Sequence, residues 1–256
     1  MTEAPQMNAG DISFWPILKI DYPTDPEKLA KLLPPGIDPS DTANVHLSIY
    51  CFPVPDEPEY GCLITVDADY KGEKGYYAIC YNIDQESAVH TSRDATGQPK
   101  YLGEIDYFIM GDYVTARVRH QGYTFIEYQG KKSGAMDYDA WNENEWWVKV
   151  SKACNGGEKE YDFPPHLVHV KAGYQPVHIE GVEGELTLRE SPWDPITEFL
   201  PVCGDVSARL SQAMPTERTI ALSDQLDGDA FWPFVDTISG SRWPGFMGGP
   251  KRQLRM

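Results

Sequence analysis

An amine that is to act as a nucleophile must be held, desolvated and aimed at a carbonyl. Lys100 is held by its sequence context, between Gly97-Gln98-Pro99 and Tyr101-Leu102-Gly103. Pro99 biases Gln98 toward an extended backbone and so fixes the approach to the lysine. Gly97 and Pro99 mark Thr91–Gly103 as a loop that enters a strand at Ile105–Met110. Most lysines are solvated surface charges, but one on a rigid approach can be presented to a cavity. At the ordinary lysine pKa of about 10.4, only ~0.04% is neutral at pH 7, so attack on a ketone or 2-oxo carbonyl requires burial or a nearby cation. Tyr101 is placed to act as a general acid for carbinolamine dehydration or loss of a β-hydroxyl. That role holds only if it shares the side of Lys100, since successive strand residues face opposite ways. Arg93 offers a planar fork for a substrate carboxylate, and Gln98 a neutral polar contact. Glu104 is a candidate base if its strand turns it inward. Ser48 and Tyr50 share one face of their own strand.

Other clusters point to duller roles. His166 and His169 lie three apart and would face opposite sides of a strand, so they and His178 are not read as a metal site. Asp224, Asp227 and Asp229 lack the downstream glutamate of a calcium loop and read as an exposed acidic turn. Trp232, Phe234, Trp243 and Phe246 read as core or subunit packing. The 5 cysteines are scattered without a C-x-x-C pair and read as free thiols in a reducing compartment.

The elements that must position these residues are mostly strands. The 256 residues carry 41% hydrophobic side chains, enough for a packed core, and read as one domain, 1–256, with 1–12 a loose lead-in. A formal net charge of −17 argues against nucleic-acid and anionic-membrane partners. No stretch approaches the ~18 apolar residues needed to span a bilayer. Met1–Gly10 has neither the basic start nor the apolar core of a leader, so a cytoplasmic location is expected. Phe14–Ile20, Val45–Phe52, Cys62–Tyr70 and Gly75–Ile83 read as strands, with clean period-2 alternation in the third. Thr24-Asp25-Pro26-Glu27 opens a short helix that Pro34-Pro35-Gly36 stops. Tyr113–Arg119 and Tyr123–Tyr128 flank a hairpin loop, His120-Gln121-Gly122. Lys131–Asn144 reads as loop. Glu145–Val150, Leu167–Val170, Val177–Ile179 and Glu185–Leu188 read as further strands, and Asp205–Met214 as a short helix ended by Pro215. Strands at this spacing with few helices predict a mainly β fold, an antiparallel barrel or sandwich.

The residues around Lys100 resemble the acetoacetate decarboxylase superfamily. Ser92-Arg93-Asp94 stands where the family has Gly-Arg-Glu, and Pro99-Lys100-Tyr101-Leu102-Gly103 where it has Pro-Lys-Lys-Leu-Gly. The likeness runs upstream through Lys74-Gly75-Tyr76-Tyr77 and Ala78–Ile83. It recurs at Tyr22-Pro23-Thr24-Asp25 with Leu29, Lys31, Leu32, Leu33 and Pro34. The resemblance implies a closed, cone-like antiparallel β-barrel with an interior cavity, and a Schiff base on Lys100 in place of any cofactor. It also implies a homo-oligomer and a small 2-oxo or β-oxo acid as substrate, with an aldehyde as a second one. The departures are informative. Tyr101 replaces the second lysine, the neighbouring cation by which acetoacetate decarboxylase, the standard example of this activation, lowers its lysine's pKa. The family's substrate-side arginine falls at Trp15. One pocket glutamate falls at Ser48, and a second falls near Gly61 with Glu57 and Glu59 close by. Ser48 and Tyr50 are candidates to replace these carboxylates as neutral hydrogen-bonders. A kept nucleophile in an altered pocket favours an aldolase-dehydratase using pyruvate-like donors over a decarboxylase of acetoacetate. A non-catalytic small-molecule binding protein on the same fold is the remaining alternative.

Overall fold

A computed structural model of the chain describes residues 15–52, 58–245 and 249–250. The lead-in at 1–12, Glu57, Phe246, Lys251, Arg252 and Arg255 lie outside the described residues. The strands are β1 (Ile17–Pro23), β2 (Asn44–Phe52), β3 (Glu59–Tyr70), β4 (Glu73–Ile83), β5 (Lys100–Leu102), β6 (Glu104–Met110), β7 (Tyr113–His120), β8 (Tyr123–Ala135), β9 (Trp141–Lys152), β10 (Tyr161–Leu188) and β11 (Ser207–Gln225). The helices are α1 (Pro26–Ala30), α2 (Glu86–Thr96), α3 (Ile196–Phe199) and α4 (Gly228–Phe231).

Hydrogen-bonded pairing runs β11-β1-β2-β3-β4-β9-β10, and β10 pairs back onto β11, so these strands close a ring. The ring is antiparallel except where β4 meets β9: Tyr76↔Glu145 and Tyr77↔Trp146 run parallel. Alternation then divides each strand between two environments. On β1, Leu18, Ile20 and Tyr22 are buried in the main core, while Ile17 and Lys19 line the ring's interior. On β2, Val45, Leu47 and Ile49 join that core, while Ser48 and Tyr50 face inward. The main core lies on the ring's outer face, between it and the sheet β6-β7-β8, which supplies Ile105, Val114, Val118, Phe125 and Tyr128.

Helix α1 starts as its sequence demands: Asp25 Oδ1 accepts from the backbone N–H groups of Glu27 and Lys28, with Pro26 in the first turn. Several expectations are corrected. The first half of the Thr91–Gly103 loop is the end of α2, a polar helix with Val89 its buried residue, which offers little apolar periodicity to read. His120 pairs with Tyr123, so Gln121-Gly122 alone make the β7–β8 turn, both at positive φ (52° and 85°). Lys131–Asn144 is largely strand, split between the ends of β8 and β9. The separate strands at Leu167, Val177 and Glu185 are one strand, β10, bent by register shifts, that serves both the ring and the outer sheet. Asp205–Met214 is not helical. It lies mostly in β11, where β1 and β10 on either side satisfy its backbone groups, and that pairing overrides the local helix propensity. Trp243 is fully buried in the main core and Phe234 packs against it, while the Trp232 ring meets Tyr161 edge-on. Among the described residues no helix is long and apolar enough to cross a membrane.

Candidate active site

The ring encloses a cavity of about 360 Å³ to which every ring strand contributes side chains. One wall is α2, through Thr91, Ser92, Ala95 and Thr96. The helix ends at Gly97, whose left-handed φ of 72° suits glycine at this position. The chain then turns tightly about Pro99, with Lys100 N–H donating to Gln98 O at 2.7 Å and Tyr81 N–H to Pro99 O at 2.9 Å. Proline's fixed φ fits the centre of such a three-residue turn. The turn delivers β5 parallel to β4, in register Tyr81↔Lys100 and Asn82↔Tyr101. Lys100 therefore faces the cavity with Tyr81, and Tyr101 faces away.

Lys100 is 9% exposed, and burial pulls its pKa below the ordinary lysine value. The charge of Glu59 opposes that shift and the charge of Arg218 adds to it. Glu59, at the start of β3, is pushed up by burial against the pull of Lys100 and of the Tyr50 hydroxyl, which donates to its Oε1 at 3.2 Å. Gly61 stands opposite Tyr50 on β3, where any Cβ would collide with the Tyr50 ring. Glu145 on β9 is also raised by burial, although the Tyr81 hydroxyl and the Trp147 indole N–H both donate to it. Gln98 hydrogen-bonds Tyr81 and completes this group. Among the described lining residues the cations are Lys19, Lys100 and Arg218 and the acids Glu59, Glu143 and Glu145, with Lys19 3.6 Å from Glu143. The arrangement presents to one cavity an amine whose pKa burial lowers and two carboxyls whose pKa burial raises.

The structure brings Lys100, Gln98, Ser48 and Tyr50 together on this cavity. It does not bring the other expected residues there. Tyr101, 3% exposed, donates its hydroxyl to Asp194, which is fully buried and also lies 2.7 Å from His120 Nδ1. The alternation of β5 puts it on the core side, so it has no contact with a cavity substrate. Glu104 is exposed and paired with Arg119 at 3.0 Å, because β6 leaves the ring for the outer sheet. Arg93 lies on the outward side of α2, its guanidinium against Gly240. The motif around Lys100 points to none of Arg218, Glu145 and Tyr81, and Glu59 stands out only as a neighbour of Gly61. Their signal is the register of β11, β9 and β4, which local sequence does not carry.

A second polar group lies on the inward face of the ring strands. His46 sits between Asp21 and Asp67, with Nδ1 2.7 Å from Asp21 Oδ1 and Nε2 2.9 Å from Asp67 Oδ1. Burial raises Asp21, but the His46 hydrogen bond and the Arg209 charge outweigh it and hold its pKa down at about 2. His46 is likewise lowered by burial but raised overall by its two carboxylates. Among the described residues no three His, Cys, Asp or Glu side chains are grouped to hold a metal ion. The cysteines are free thiols, Cys62 and Cys80 buried and Cys154 and Cys203 exposed.

Residues 4–221 match the family model described as acetoacetate decarboxylase. No curated protein matches the sequence. Among solved structures, an acetoacetate decarboxylase from Legionella pneumophila is 18% identical with a TM-score of 0.73, over 88% of this chain and 93% of that one. MppR, an enzyme of enduracididine biosynthesis, is 16% identical with a TM-score of 0.64, over 84% of this chain and 97% of that one. That structure holds the condensation product of pyruvate and imidazole 4-carboxaldehyde. An acetoacetate decarboxylase-like enzyme from Sphingomonas wittichii RW1 is 16% identical with a TM-score of 0.60, over 80% of this chain and 92% of that one. These likenesses are of fold.

Proposed function

The chain belongs to the acetoacetate decarboxylase family, whose chemistry is of the Schiff-base type, and on that premise we propose a lyase that joins a 2-oxo acid such as pyruvate to an aldehyde and dehydrates the product. Lys100 attacks the 2-oxo carbon. The carbinolamine loses water with a proton supplied from the cavity, giving an iminium that acts as an electron sink. Loss of a C3 proton gives an enamine. Its carbon attacks the aldehyde carbonyl, the resulting β-hydroxyl leaves as water, and hydrolysis of the imine frees the unsaturated 2-oxo acid and the lysine. Net, one aldehyde and one pyruvate give one enone acid and one water, with no external cofactor. Glu59, with Tyr50 as its donor, is the proton carrier nearest in electrostatic effect to the amine, and its raised pKa suits it to both giving and taking. Ser48 and Gln98 orient the substrate oxygens.

The observation that carries this reading is the buried Lys100 amine, with its depressed pKa, facing Glu59 across an enclosed cavity. The choice of two substrates rests on space and lining. About 360 Å³ is several times the size of a three- or four-carbon acid and lies within the range of about 300–1,000 Å³ typical of ligand pockets. Trp15, Trp141, Trp147 and Tyr174 make part of the wall aromatic, suited to a planar acceptor.

The test is to give the purified protein pyruvate with an aromatic aldehyde and, separately, acetoacetate. The expected result is an enone acid from the first mixture, lost in Lys100→Ala. Carbon dioxide from acetoacetate with no condensation would make the protein a decarboxylase through the same imine. Neither product, with ligand affinity unchanged in Lys100→Ala, would make it a binding protein.

A further inference from the structure

The cavity wall holds a guanidinium that the Lys100 motif gives no reason to expect. Arg218 is on β11, paired with Ala172 of β10, and the neighbouring pairs Ile220↔Val170 and Pro215↔Tyr174 also line the cavity. Directly opposed residues share a face of the sheet, so the register turns Arg218 toward the cavity, at whose open side it remains exposed. The other cations lining the cavity are Lys19 and Lys100, and the reaction needs Lys100 as a neutral amine. The acids that share the space with it are Glu59, Glu143 and Glu145. Trp15, at the position the family resemblance gives to a substrate-side arginine, is an aromatic wall residue here.

We propose that Arg218 is the anchor for the substrate carboxylate, and that it selects 2-oxo acids over uncharged ketones and aldehydes as the group that joins Lys100. The inference rests on the imine reading and sharpens it to an anionic donor. The guanidinium fork matches a carboxylate in two parallel hydrogen bonds. It also places a second positive charge in the space where Lys100 must lose its proton, a service that Tyr101 cannot give from the core side of β5. The titratable groups that share the cavity with Lys100 are Lys19 on β1, Tyr50 on β2, Glu59 on β3, Tyr81 on β4, Glu143 and Glu145 on β9, Tyr174 on β10 and Arg218 on β11. Of these, Arg218 favours the neutral amine and Glu59 the ammonium.

The test is borohydride trapping at Lys100 with pyruvate and with acetone, which replaces the carboxylate by a methyl group. It is run on the wild type, Arg218→Gln and Arg218→Lys. Arg218→Gln should raise the pyruvate concentration for half-maximal trapping about 10- to 100-fold and leave that for acetone nearly unchanged. It should also move the half-maximal pH of trapping upward for both carbonyls. Arg218→Lys should restore most of the pH position and only part of the pyruvate affinity. Equal losses for pyruvate and acetone, or no change in either, would overturn the assignment. Calorimetry of pyruvate binding to Lys100→Ala, with and without Arg218→Gln, separates this failure from that of the imine reading. If the wild type traps nothing but pyruvate binding still depends on Arg218, the chemistry is wrong and the anchor stands. If binding ignores Arg218, the anchor is wrong whatever Lys100 does.

Discussion

Lys100 and Tyr101 are neighbours in the chain and both are buried, yet their surroundings differ in kind. Lys100 looks into an enclosed space shared with Glu59, Glu145 and Arg218, and no ion pair closes over its amine among the described residues. Tyr101 looks into the core, where its hydroxyl, Asp194 and His120 satisfy one another and Trp193 packs edge-on over the His120 ring. One polar group is aimed at space for a substrate. The other is spent on holding strand β5 against the ring. Burial and polarity are common to both, so neither identifies a reactive site; what separates them is whether the polar atoms face each other or a cavity.

Substitutions on the two sides should therefore fail differently. Lys100→Ala should reduce turnover to background while leaving the thermal midpoint near that of the wild type or above it, since a buried, partly desolvated amine is removed. On the same side, Glu59→Gln should slow turnover by about 10²- to 10⁴-fold, the range for a lost general acid or base. Because the Glu59 charge holds Lys100 toward the ammonium form, its removal should also extend imine trapping to lower pH. A slowed rate with an unmoved pH profile would show that the two groups do not communicate.

On the core side, Asp194→Ala leaves His120 Nδ1 without its acceptor and the Tyr101 hydroxyl with only the Cys80 sulfur, 3.5 Å away, at a cost of about 1–3 kcal/mol. Tyr101→Phe removes one of those bonds and should cost about 1–3 kcal/mol. Both are read by denaturant unfolding, and the folded fraction of each should trap substrate at the wild-type rate. A Tyr101→Phe protein of full stability that stalled before dehydration would put Tyr101 back in the reaction.

The smallest effect concerns the polar group at His46. Asp21, at about 2 in the folded chain against an ordinary 3.8, contributes stability that is full above 3.8 and lost as pH falls toward 2. His46 is raised above its ordinary 6.5, so its contribution is full below 6.5 and fades as pH rises through the folded value. The stability that this group contributes should therefore be fullest between those two ordinary values. His46→Gln should flatten the alkaline side of that maximum in thermal unfolding measured across pH; an unchanged profile would contradict the assignment.

The two sides also differ in how far they could be read from the chain. The approach to Lys100 is local: Gly97 ends a helix, Pro99 centres a turn, and the lysine follows. Ser48 and Tyr50 follow from alternation along β2. Asp25 capping α1 is equally local. Arg218 and Glu145 reach the cavity only through long-range register, the first through β11 pairing with both β1 and β10, the second through the short parallel contact of β9 with β4. A segment rich in helix formers, Asp205–Met214, hid the start of β11 and with it the cavity's guanidinium. Tyr101 shows the opposite limit. Its motif position suggests chemistry, while period-2 geometry sends it to the core.

The most direct measurement is peptide mass analysis after borohydride reduction of the protein with pyruvate. One adduct is expected, on the peptide carrying Lys100 and absent from Lys100→Ala. An adduct on Lys19, which lines the same cavity, or no adduct at all, would contradict that expectation.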